Sequence, residues 1–178
     1  MSRLGRKPVK IPAGVEVKVS GPQITVKGKL GTLTQVLPEA ITAEVGGDSI
    51  HLKAGDLTKA LKAQYGLARA TLHNLIVGVS DGFTMVLELN GPGYKAAVQG
   101  NVLLVSVGYS RPIEFKVEKD LQVSVKGNQI TIFGVNKAKV GEVAAEIRQL
   151  REVEPYKERG IKYAAEKIRR KVSKAAKV

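Results

Sequence analysis

Val15-Glu16-Val17-Lys18-Val19-Ser20-Gly21-Pro22-Gln23-Ile24-Thr25-Val26-Lys27-Gly28 is matched, without a gap, by Leu121-Gln122-Val123-Ser124-Val125-Lys126-Gly127-Asn128-Gln129-Ile130-Thr131-Ile132-Phe133-Gly134, with seven identities in fourteen positions. In both stretches apolar and polar residues alternate on either side of a glycine-led pair, Gly21-Pro22 or Gly127-Asn128. Period-two alternation gives a strand one buried face, and glycine supplies the backbone freedom of a tight turn, so each stretch reads as a β-hairpin. One copy lies near the start of the chain and the other in its second half. The pattern therefore predicts a duplicated unit.

Working outward, further short strands are expected near Leu33–Leu37, Ala43–Val45 and Ile50–Lys53, with Gly46-Gly47-Asp48 as a turn. A helix follows. Leu57, Leu61, Tyr65, Ala68, Leu72, Leu75, Ile76 and Val79 recur every three or four residues and make one apolar stripe. Asp56 is the expected N-cap and Gly78 the expected stop. The second half repeats this order. Phe83, Met85, Leu87 and Leu89 alternate, Gly91-Pro92-Gly93 breaks the strand, and Val102–Val107 and Ile113–Val117 follow. Asn136 then caps a helix that buries Val140, Val143, Ala144, Ile147 and Leu150. The expected fold is α+β: two tandem homologous domains, each a mostly antiparallel sheet packed with one main helix, plus basic terminal extensions. With a boundary near Asp81-Gly82, the domains are 1–82, with a basic N-terminal arm, and 83–178, with a loop at 154–163 and a basic tail.

Composition narrows the function. The 178 residues include 29 Lys and Arg against 16 Asp and Glu, a net charge of +13. The first ten residues hold four cations and no acid, and residues 151–178 hold ten cations and four acids. The charge is thus concentrated at the two ends of a nearly neutral body, as expected of a protein with a polyanionic partner. Without cysteine there is no disulfide, no thiolate nucleophile and no Cys-ligated zinc. No apolar run is long enough for a membrane-spanning helix, and the start lacks the apolar stretch of a secretory signal, so a cytoplasmic location is expected.

Catalytic chemistry finds no footing. His51 and His73 fall on different predicted elements and lack metal-ligand spacing. No phosphate-loop pattern is present. Gly91-Pro92-Gly93-Tyr94-Lys95-Ala96 superficially fits a dinucleotide loop, but Gln99-Gly100-Asn101 turns the chain before the required helix could form. A tight loop presenting Tyr94 and Lys95 is the better reading. The expected protein has no catalytic residues, no metal, no cofactor and no small-molecule substrate.

Glu154-Pro155-Tyr156-Lys157-Glu158-Arg159-Gly160-Ile161-Lys162-Tyr163 interleaves two tyrosines with cations, and Pro155 and Gly160 favour a compact loop. Cations neutralise phosphates and a tyrosine face stacks on an unpaired base, so the segment suits RNA. It equally suits a solvated loop whose tyrosines pack on the domain. The tail from Lys167 to Val178 has near-helical apolar spacing among basic residues, but its apolar side is mostly Ala and Val, a weak membrane anchor. A general nucleic-acid-binding or RNA-chaperone module and a membrane-surface adaptor stand as rival readings.

Other segments carry a resemblance. Met1-Ser2-Arg3-Leu4-Gly5-Arg6-Lys7-Pro8, Ile11-Pro12-Ala13-Gly14-Val15, Tyr65-Gly66-Leu67-Ala68-Arg69, Gly78-Val79-Ser80-Asp81-Gly82-Phe83 and Gly93-Tyr94-Lys95-Ala96 occur in order. They are followed by Lys139–Arg148, Glu154-Pro155-Tyr156-Lys157 and Gly160-Ile161-Lys162-Tyr163. Over nearly its whole length the chain resembles the bacterial large-subunit (50S) ribosomal protein six family. The resemblance implies two homologous α+β domains and a structural role in translation within the large subunit. It further implies binding of 23S rRNA near the sarcin–ricin loop and the stalk base, beside other large-subunit proteins, chiefly through the second domain and C-terminal extension. On that reading the RNA-contacting residues are Tyr156, Lys157, Arg159, Lys162 and Tyr163 in the loop, Tyr94 and Lys95 in a second contact, and Arg169, Arg170 and Lys171 in the tail. Arg3, Arg6, Lys7 and Arg69 complete the set. The chain departs from the family pattern at Pro92, Arg111, Arg151-Glu152-Val153-Glu154 and Glu158, the last placing an acid in an RNA-facing loop.

Overall fold

The computed structural model describes residues 7–55 and 58–171. These form two compact units, one running to Gly82 and including Val135–Lys137, the other formed by Phe83–Gly134 and the chain from Ala138.

In the first unit β1 (Val9–Lys10), β2 (Glu16–Ser20), β3 (Gln23–Lys27), β4 (Thr32–Val36), β5 (Ile41–Gly46) and β6 (Ser49–Ala54) precede helix α1 (Lys59–Ser80). They make two antiparallel sheets, ordered β2-β3-β4 and β1-β6-β5. In the second unit β7 (Phe83–Asn90), β8 (Lys95–Gln99), β9 (Val102–Ser106), β10 (Ile113–Lys116), β11 (Leu121–Lys126) and β12 (Gln129–Gly134) precede α2 (Lys137–Gln149), which starts directly after Asn136. A final strand, β13 (Gly160–Tyr163), joins the second sheet. The sheets are β10-β9-β8 and β11-β12-β7-β13. Each unit is thus a three-stranded meander plus a hairpin that pairs with the unit's first strand, and one helix.

This order shifts the phase of the repeat. Val15–Gly28 forms the β2–β3 hairpin of the first meander, whereas Leu121–Gly134 forms β11–β12, beside β7. By position and pairing the counterpart of β11–β12 is β5–β6. Ile41 pairs with Ala54 as Leu121 pairs with Gly134, and β6 flanks β1 as β12 flanks β7. The duplication is real at the level of the unit, but the matched stretches occupy different places in it. The physical reason is that the four two-residue hairpins, β2–β3, β5–β6, β8–β9 and β11–β12, obey one rule. Gly21, Gly47, Gly100 and Gly127 have φ between +56° and +61°, while Pro22, Asp48, Asn101 and Asn128 after them do not take positive φ. That is the type II′ pattern that matches strand twist. A glycine-led turn with alternating apolar positions makes unrelated hairpins of one fold look alike.

Alternation also explains the cores. Ile24 and Val26 of β3 and Ile50 of β6 pack with Leu72, Ile76 and Val79 of α1. Leu87, Leu103, Ile130 and Ile132 pack with Ile147 of α2 in the second unit. Helix α1 is capped by Thr58, whose hydroxyl accepts from the Leu61 N–H at 3.3 Å, in place of the expected Asp56; Asp56 and Leu57 lie outside the described residues. Gly78 is buried within the helix, which runs on to Ser80 and stops where the Asp81 and Gly82 N–H groups both bond the Val77 carbonyl. Gly82, at φ +76°, supplies the left-handed turn expected of Gly78.

Just after β3, Gly28 lies tight against the end of α1. A Cβ there would lie 2.6 Å from the Val79 carbonyl oxygen, and the nearby Leu30 N–H donates to that same oxygen at 3.1 Å. Gly28→Ala is therefore expected to lower stability by about 1–3 kcal/mol through overpacking against backbone. Urea unfolding of the variant checks this; an unchanged midpoint would show that the contact yields freely.

Candidate nucleic-acid interface

Among the described residues no cluster of His, Asp or Glu is arranged to hold a metal ion, and no helix is long and apolar enough to cross a membrane. His51 and His73 are exposed, the first beside the Ser49 hydroxyl at 3.2 Å. The chemistry of the surface is cationic and aromatic, and it gathers where the chain leaves α2.

The segment expected as one loop over 154–163 divides in two. Residues 154–159 form the loop, and 160–163 form β13. The change follows from Ile161, a fully buried side chain in the second core, facing Leu89 of β7 across the ladder. Burying such a side chain contributes about 1.5–3 kcal/mol, enough to favour the strand. The loop's base is closed from both sides. The Glu154 N–H donates to the Arg159 carbonyl at 2.9 Å and the Glu158 N–H to the Glu154 carbonyl at 3.0 Å. Gly160, at φ +143°, lies against backbone so closely that a Cβ would be 2.6 Å from the Glu152 carbonyl oxygen.

This construction sorts the expected contact residues. Tyr156 is 51% exposed, and Lys157 and Arg159 are exposed beside it. Lys162 and Tyr163 lie on β13 and are half-buried. The Lys162 ammonium is 3.5 Å from a Glu88 carboxylate oxygen, and the Tyr163 ring packs on the core under the Arg148 guanidinium, 5.8 Å from the ring centre. Lys95 is exposed at the start of β8. Tyr94 is half-buried, its ring set against Gly91, where a Cβ would be 2.8 Å away. In the first unit Lys7 is exposed, and Arg69 on α1 donates to the Lys7 carbonyl at 3.5 Å. Arg3 and Arg6 lie outside the described residues.

Tyr94 and Arg159 meet in a shallow depression of about 480 Å³, whose walls also include Tyr109 and Arg151. These last two were not among the residues expected from the sequence. Tyr109 is 51% exposed, and its hydroxyl donates to the Leu150 carbonyl at 3.2 Å. Arg151 lies 5.5 Å over the Tyr109 ring. Hydrogen bonding with Tyr109, then with Tyr94, holds the Arg151 guanidinium above its ordinary pKa, and Arg151 and Arg159 share the depression with Glu152 and Glu154. The only hint in the sequence was an aromatic in a glycine-containing loop, Gly108-Tyr109-Ser110.

In the tail, residues 164–171 are irregular. Residues 172–178 lie outside the described ones. The tail is tied to the body by Glu166, which accepts from Arg148 twice, at 2.7 and 3.1 Å, and from the Tyr163 N–H at 3.1 Å. Further on, Arg170 Nε lies 2.7 Å from Glu158 Oε1, and the Lys171 N–H donates to the Pro155 carbonyl at 3.1 Å. Glu158 has φ +53°, and it is the only non-glycine residue with positive φ among the described residues. That conformation costs a non-glycine residue about 1–2 kcal/mol. Arg169, Arg170 and Lys171 are all exposed.

Arg148 holds the Glu166 carboxyl below the ordinary carboxylate range, with its own guanidinium pushed up in turn. A carboxyl lowered on folding adds stability that is present above its unfolded pKa and is lost as pH falls through the folded value. Glu166→Gln should remove about 1–3 kcal/mol at neutral pH and flatten the loss of stability below about pH 4.5. Unfolding curves at pH 7 and pH 3 test this; equal losses on acidification for variant and parent would refute it.

The model for the family described as ribosomal protein L6 matches residues 11–82 and 90–164, one segment in each unit. The chain is 49% identical to the large ribosomal subunit protein uL6 of Moorella thermoacetica over 98% of its own length and 96% of the relative's. It is 45% identical to the uL6 protein of Oleidesulfovibrio alaskensis, with 98% of each chain covered, and 46% identical to that of Lachnoclostridium phytofermentans, with 99% covered. A family match across both units, joined to full-length identity at this level, places the chain in the ribosomal protein L6 family.

Proposed function

We propose that this chain is a structural, non-catalytic constituent of the large ribosomal subunit in the cytoplasm. It binds 23S ribosomal RNA near the sarcin–ricin loop and the stalk base, next to other large-subunit proteins. Its relatives carry the large-subunit name, and the resemblance stated above supplies the RNA neighbourhood. The observation that carries the reading is the braced loop of the second unit, with Tyr156, Lys157 and Arg159 exposed and Arg159 shared with the depression of Tyr94, Tyr109 and Arg151.

The mechanism has two parts. Lys157, Arg159, Lys95 and the tail cations neutralise phosphates and release counterions, which gives affinity and salt dependence. Tyr156 and Tyr109 offer half-open ring faces to unstacked bases or ribose, worth about 1–3 kcal/mol per stacked base. Because the loop is closed at its base before RNA arrives, little order has to be gained on binding. Lys162 and Tyr163 serve this surface from behind, through Glu88 and the core. The second domain thus provides the contact face.

Replacing both Lys157 and Arg159 by Ala should lower affinity for a 23S fragment containing the sarcin–ricin loop. The slope of log K against log salt should fall by about 1.5–2, from the loss of two phosphate contacts. Filter binding across a salt series reads both quantities. A variant that folds normally yet keeps the parental affinity and slope would remove this loop from the interface.

A further inference from the structure

An acid in a phosphate-facing loop calls for an account, and Glu158 has a geometric one. Its carboxylate does not stand alone among the cations: Oε1 lies 2.7 Å from Nε of Arg170 in the tail. One residue further along, the Lys171 N–H donates to the Pro155 carbonyl in the same loop at 3.1 Å. Consecutive tail residues are therefore fastened to two residues of the loop, one through an ion pair and one through the backbone. Glycine would take a φ of +53° with ease, whereas glutamate is held there by the bonds that close the loop around it. The side chain is 30% exposed against 66% for Arg170, so the acid is the more enclosed partner and the arginine is brought to it.

We propose that Glu158 is a positioning residue, a clasp that fixes the tail across the loop so that Lys157 and Arg159 share one preset cationic face with Arg169 and Lys171. The proposal deepens the RNA-binding reading and rests on it. The negative charge of Glu158 is matched by Arg170, so it does not confront phosphate. What it contributes is order: the tail is tied first at Glu166 and again at Glu158, and the cations around the second tie are held near their working positions. Exposed ion pairs are individually weak. The clasp accordingly acts together with the Lys171 backbone bond and opens under modest perturbation.

The proposal makes a counter-intuitive prediction of sign. Removing an acid from a polyanion-binding surface should tighten binding if the acid merely repels phosphate. If Glu158 is the clasp, Glu158→Gln should weaken binding of the full chain to the same 23S fragment by about three-fold, the size expected of a partly exposed pair, although net charge rises by one. Limited trypsin digestion of the free protein supplies a readout independent of RNA. Cleavage at Arg169, Arg170 and Lys171 should quicken several-fold in Glu158→Gln. Reversing the pair, Glu158→Lys with Arg170→Glu, should restore protection at the remaining sites. Unchanged cleavage in Glu158→Gln, or any tightening of RNA binding, overturns the proposal. Parental protein that fails to bind the fragment would instead count against the RNA reading, with the clasp still judged by digestion.

Discussion

Pairing of β13 with β7 is the constraint on which the working surface depends. It buries Ile161 in the second core and sets Gly160 against the backbone of Glu152, where no side chain fits. Once those two residues are seated, the six-residue path from Glu154 to Arg159 must close over a fixed base, and the tail must leave from a fixed point beyond Tyr163. Arg148 then reaches Glu166, and Glu158 reaches Arg170. Without the strand, the same cations would hang on a loose segment, and the ordering that RNA binding requires would fall on the encounter itself.

The two units show what duplication supplies and what it does not. Both follow one plan of meander, paired hairpin and helix, and both fill their cores from the same alternating positions. The strand after α2, with its loop and tail, has no counterpart after α1, since α1 runs through Asp81-Gly82 straight into β7. The addition is where cations and tyrosines accumulate. A repeated frame gives stability, and a segment grafted on one copy gives it a charged, shaped face.

Much of this was legible in the amino-acid order. Period-two runs marked the hairpins, the Leu61-to-Val79 stripe marked α1, and the charge distribution pointed to the C-terminal region. What escaped was set by contacts between distant residues. The sequence repeat falls out of phase with the structural one because type II′ hairpins with one buried face converge on similar sequences. Thr58 displaced Asp56 as cap, and Gly82 displaced Gly78 as terminator; at helix ends neighbouring candidates differ little locally, and packing chooses between them. Lys162 and Tyr163 read as loop residues until Ile161 committed their segment to the sheet. Tyr109 and Arg151 stand far apart in the chain, and only the fold brings their side chains together. The course of the tail over 164–171 was open in the sequence, and the bonds made by Glu166 and Glu158 tie it to the body.

The central claim is that the braced loop of the second unit, with the tail clasped beside it, is the face turned toward ribosomal RNA. Lysine-specific chemical labelling, read by mass spectrometry for the free protein and for the protein within intact large subunits, tests it most directly. The account predicts that Lys157 and Lys171 label readily in the free protein, where both are exposed, and become strongly protected in the subunit. Equal labelling of Lys157 in the two states would contradict it.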